Sequence, residues 1–138
     1  MHDVETIMAR LQGARSLPEL LAAGFDAFET IRVLARGSED IVPSLFAAFI
    51  TVADAAVDGR QAIILAPSLP PVSLITTPPA AGADIDTITV ALAALGELLD
   101  ECLARAADRA LIPGDRAACQ EAAEAGRRIH QLMAGDGK

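Results

Sequence analysis

DIDTITVALAALGELLDECLARAAD, residues 84–108, is the stretch on which the reading of the fold turns. Ile85, Ile88, Leu92, Leu95, Leu99, Cys102, Leu103 and Ala106 recur at three- and four-residue steps, so all of them fall on one arc of a helical wheel. Asp86, Glu97, Asp100, Glu101 and Asp108 occupy the opposite arc. This is an amphipathic helix with one face to bury. Pro113-Gly114 stops it, and Asp115 opens a second helix with the same division. Ala118, Ala122, Ala125, Gly126, Ile129, Leu132 and Met133 face inward there, against Gln120, Glu124, Arg127 and Gln131 outward. Helices are expected at 85–111 and 115–134.

Toward the N-terminus the same period returns. Ser16-Leu17-Pro18-Glu19 is a capping-box pattern, in which the Ser16 hydroxyl accepts from the Glu19 N–H and proline takes a position that needs no donor. Leu17, Leu20, Leu21, Gly24, Phe25, Phe28, Ile31 and Leu34 then mark a face that ends at Gly37, giving a helix over 16–36. A third helix is expected over 40–58, starting at Ser38 or Asp40, tolerating Pro43 in its first turn and closing at Gly59. Val4, Ile7, Met8 and Leu11 predict a short helix over 3–12. The expected architecture is all-α: a four-helix bundle with a short extra N-terminal helix and a long proline-rich crossover over 66–84. At 138 residues and 52% hydrophobic composition, the chain amounts to a single domain, 1–138, with material for a core.

Charge and composition exclude several functions. The formal charge of −8, with no basic cluster beyond Arg127-Arg128, offers no footprint for nucleic acid or an anionic membrane surface. Residues 61–83 carry no charge, but Pro67, Pro70, Pro71, Pro78 and Pro79 would leave carbonyls unpaired in lipid, so no membrane span is expected. Acids at Asp3 and Glu5 replace the basic start of a secretory signal, and a cytoplasmic protein is expected. The phosphate-binding glycine loops, the nucleophile elbow and the His-Glu-x-x-His motif are missing from the sequence. Two histidines and one lysine leave most nucleophile–base schemes short of a member, so the chain reads as non-enzymatic, with no metal and no cofactor.

The remaining candidates are sparse. If the second and third helices turn at Gly37-Ser38, facing residue numbers sum to about 76, which brings Phe25, Phe28, Phe46 and Phe49 into one layer. That layer is either a filled aromatic core, the favoured reading, or a pocket for a small hydrophobic ligand. Across the last hairpin the numbers sum to about 227, which offsets Cys102 from Cys119 by roughly 9 Å along the axis, too far for a disulfide. Both read as buried thiols. The same register lets Glu97 approach His130. Arg105, four residues after Glu101 and three before Asp108, predicts a solvated, salt-bridged face. Asp54 and Asp58 sit four apart near an expected helix C-terminus, and hydration is favoured over a partner's arginine.

Residues 66–84 depart from bundle routine. Leu69, Val72, Leu74 and Ile75 are too apolar for an idle linker and are expected to lie on apolar surface of this protomer or of a second copy. The apolar faces of helices two and three cover roughly half the wheel, more than the ~100° that an ordinary surface helix needs. Together these features predict a protein–protein interaction module, homodimeric, contacting its partner through those faces and the crossover. Over residues 16–28 and 66–71 the chain resembles small alanine-rich helical proteins of high-GC actinobacteria, a group without an assigned activity. Ten arginines to one lysine suits that source. The resemblance implies no catalytic or binding residue.

Overall fold

A computed structural model describes residues 2–71 and 84–135, with side chains in the first helix from Val4 onward. The regular elements are α1 (His2–Gly13), α2 (Leu17–Ser38), a 3-10 turn (Pro43–Leu45), α3 (Phe46–Ile64), α4 (Ile85–Arg109) and α5 (Pro113–Ala134). No strand occurs among the described residues. The all-α reading of the sequence holds.

Local chemistry accounts for the helix ends. Ser16 is extended (φ −143°, ψ 160°), and its hydroxyl accepts from the Glu19 N–H at 3.3 Å, while the Glu19 carboxylate accepts from the Arg15 N–H at 3.0 Å. Asp84 accepts from the Thr87 N–H at 2.9 Å and the Thr87 hydroxyl at 3.0 Å, bonds that hold its carboxyl below the usual range. At the far end of α5, Gly135 takes the left-handed conformation (φ 73°) that closes a helix, and its N–H donates to the Gln131 carbonyl.

Four helices form an antiparallel ring in the order α2, α3, α5, α4, and α1 lies over the seam between α2 and α4. This places α3 and α4 on a diagonal and parallel to one another. The link between them must therefore return the length of the bundle, roughly 37 Å for the 25 residues of α4, which is why the crossover is long. The broad apolar face of α2 is covered by α1, α3 and α4 of its own chain, with Leu21, Phe28 and Ile31 fully buried. That breadth belongs to a bundle centre and leaves no surplus on the middle of α2.

The two hairpins differ in how they meet. Between α4 and α5 the turn is residues 110–112, and Gly96 stands back to back with Gly126. A Cβ on Gly96 would come within 2.8 Å of the Gly126 carbonyl oxygen, and the converse distance is also 2.8 Å. Glu97 pairs with His130 and Asp100 with Arg127, each giving the expected sum of 227. Between α2 and α3, by contrast, Gly24 meets Ile63 and Gly59 meets the Phe28 ring, pairs that sum to 87. The expected 76 was wrong by eleven residues, or about 16 Å along the axis. Gly37 does not stop α2, because a stopping glycine sits in the left-handed C′ position, whereas the C-cap Glu39 is right-handed (φ −61°, ψ −28°) and Gly37 lies inside the helix. Residues 39–45 then form the turn, held by Ile41 N–H to Ser38 O at 3.1 Å and Leu45 N–H to Val42 O at 2.9 Å. Helix α3 accordingly starts at Phe46, later than Asp40, and runs through Gly59, which serves close packing.

Candidate functional site

The register error dissolves the expected phenylalanine layer. Phe25, Phe28 and Phe49 are buried, but Phe28 faces Gly59, and Phe46 opens α3 near the turn with 45% of its surface exposed. The four do not line one pocket. Beside Phe28 lies an ion cluster that sequence spacing did not reveal. Glu29 is buried on α2, bonds Arg32 at 3.1 and 3.2 Å, and pairs with Arg60 of α3. Burial pushes the Glu29 carboxyl up, but the hydrogen bonds and charges of Arg32 and Arg60 outweigh it and leave the group below its ordinary value.

Cys102 and Cys119 are buried free thiols, as expected. Burial, with the Asp115 charge in support, pushes the Cys119 thiol up to about 11, which keeps it protonated and unreactive. His130 Nδ1 lies 3.1 Å from the Ala93 carbonyl and 3.8 Å from Glu97, so the expected approach is made. Among the described residues no three metal-ligating side chains converge. Asp58 lies inside α3, away from the helix end that the sequence suggested, and pairs with Arg128 of α5 at 3.3 Å.

Two surfaces remain, both at the end of the bundle where α3 stops and α5 begins. At the first, Asp115 is buried and does not cap α5. Its carboxylate accepts the Ser68 N–H at 2.9 Å and the Ser68 hydroxyl at 2.6 Å, pinning the start of the crossover to the first turn of α5. Pro67 packs where a Cβ on Gly114 would sit, and Leu69 is half-buried against the core. Immediately before Ser68 and Asp115 stand Ile64, Leu65, Leu111 and Ile112, all exposed, with Leu65 at 75% and Leu111 at 94%. Val72, Leu74 and Ile75, the rest of the expected contact segment, lie outside the described residues. The run Leu111-Ile112 before Pro-Gly was the available signal, since large aliphatic side chains in a tight turn have no core to enter.

The second surface is a groove of about 410 Å³ between α1, the start of α2 and the last turns of α4. Leu11, Leu17, Leu20, Cys102 and Ala106 line it, with Arg15, Arg105 and Arg109. The salt-bridged face expected around Arg105 does not form: its guanidinium Nη2 rests 3.8 Å from Cys102 Sγ. Residues 11–20 and 102–110, two stretches about ninety positions apart, build this groove, so periodicity within either one had no means of finding it. No helix among the described residues is long and apolar enough to cross a membrane. No protein-family model, no curated protein and no solved structure matches this chain.

Proposed function

We propose that the chain is a non-enzymatic helical interaction module that associates with a second copy of itself through the end formed by α3 and α5. The supporting observation is the exposure of Ile64, Leu65, Leu111 and Ile112 around a junction that the Asp115–Ser68 hydrogen bonds hold in place. Large aliphatic groups this exposed, on a scaffold already pinned, cost little ordering entropy when covered. A two-fold axis sets the patch against itself, apolar on apolar. Leu69, the residue after Ser68, packs against the core of its own chain. The non-catalytic part of the reading rests on residue supply, since two histidines and one lysine leave few acid–base schemes complete.

Sedimentation equilibrium is the test. The wild-type chain is expected at twice 14.3 kDa at micromolar concentration, and the pair Leu65→Glu with Leu111→Glu at 14.3 kDa with unchanged helicity. A wild-type monomer across the whole concentration range, or a dimer indifferent to both substitutions, would overturn the proposal.

A further inference from the structure

The arginines of this acidic chain are divided in a way that singles out the groove. Arg10, Arg32, Arg36, Arg60, Arg127 and Arg128 each pair with a carboxylate. Arg116 donates to the Ala110 carbonyl at 2.9 Å. Arg15, Arg105 and Arg109 form no ion pair among the described residues, and all three line the same groove. Nineteen acidic side chains are available, Glu101 and Asp108 at helical spacing from Arg105 among them, so the want of a carboxylate partner here is local and not a shortage. Arg105 and Arg109 are like charges four apart on α4, an arrangement that disfavours the helix slightly. Arg109 gains something from the C-terminal dipole of α4, but Arg105 lies a turn further in and Arg15 is on another segment.

Between these heads the groove offers a small apolar surface, from Leu17 and Ala106. Leu11, Leu20 and Cys102 are buried in its floor, and Leu17 and Ala106 are half-buried. Its volume lies in the lower part of the ~300–1,000 Å³ range of small-molecule sites. A guanidinium presents a planar fork of donors that fits carboxylate and phosphate oxygens in pairs, and it is less firmly hydrated than an ammonium. We propose that this groove is a binding site for a small amphiphilic anion. Its carboxylate or phosphate head is held by Arg15, Arg105 and Arg109, and its short apolar body lies against Leu17 and Ala106. The inference is independent of self-association through Leu65 and Leu111.

Octanoate, octyl phosphate, octanol and inorganic phosphate, titrated into ¹⁵N-labelled protein, test it through backbone amide shifts. Octanoate or octyl phosphate is expected to give saturable shifts centred on residues 11–17 and 102–110, and the preferred head group identifies the source of the charge. Octanol and inorganic phosphate are each expected to bind at least about tenfold more weakly, because each lacks one half of the recognition. Arg105→Gln with Arg109→Gln should weaken the alkyl anion about tenfold while leaving the rest of the spectrum in place, and Arg127→Gln should change nothing. Shifts absent at these amides up to about 10 mM, octanol binding as well as octanoate, or affinity unmoved by the double substitution would each overturn the proposal.

Discussion

The α4–α5 hairpin and the α2–α3 hairpin join helices of similar length and differ in what sets their register. In the first, a three-residue turn ending at Pro113 leaves almost no freedom, and two facing glycines bring the backbones together. In the second, residues 39–45 pass through a 3-10 turn, and register is set far from that turn by a ring over a glycine and a buried carboxylate between arginines. A short turn fixes pairing locally; a long one leaves it to packing chemistry.

The glycines separate the two cases most sharply. In Gly126→Ala the new methyl meets the Gly96 carbonyl oxygen at 2.8 Å, the Asp100 nitrogen at 3.0 Å and Leu99 Cβ at 3.0 Å, so the helix itself must move away. Chemical denaturation should report a loss of about 3 kcal/mol despite the gain in helix propensity. Gly59→Ala meets a side chain instead, the Phe28 ring, and about 2 kcal/mol is expected. Phe28→Leu in the same chain should recover at least ~1 kcal/mol of the Gly59→Ala cost in a double-mutant cycle. No single side-chain change should rescue Gly126→Ala, whose obstacles are mainly backbone. If the two glycine variants respond alike, the contrast between the hairpins fails.

The remaining contrast between the hairpins lies in pH. Because Glu29 in the folded protein sits below its ordinary 4.5, the unfolded chain takes up that proton first as the solution is acidified. Its contribution is therefore present above about pH 4.5 and lost as pH falls through the folded value. Urea midpoints for wild type and Glu29→Gln should differ near neutrality and converge in acid. At pH 7 the Arg60→Ala variant is expected to lose about 1–3 kcal/mol, because it leaves a buried carboxylate with one arginine in place of two.

The same contrast explains what could be read in the sequence. The helical faces, the Ser16 end, the free thiols and the Glu97–His130 approach all follow from periodicity or from a short turn. Residues 39–45 defeated the second register, because Gly37 lies inside α2 while Asp40 and Pro43 fall within the turn, so the boundary signals place the start of α3 several residues too early. With that register went the phenylalanine layer. Neither the Asp115–Ser68 latch nor the arginine-lined groove was legible, since each joins segments dozens of residues apart, and a helical period within one segment does not say which other segment it meets.

Self-association through the α3–α5 end is the claim most directly open to measurement. A sample mixing isotope-labelled and unlabelled chains reports only contacts between copies in a filtered methyl NOE experiment. Cross-peaks between copies are predicted at Ile64, Leu65, Leu111 and Ile112. Cross-peaks confined to Ile41, Phe46 and Val90 at the opposite end, or none between copies at concentrations where the protein is to be dimeric, would contradict the account.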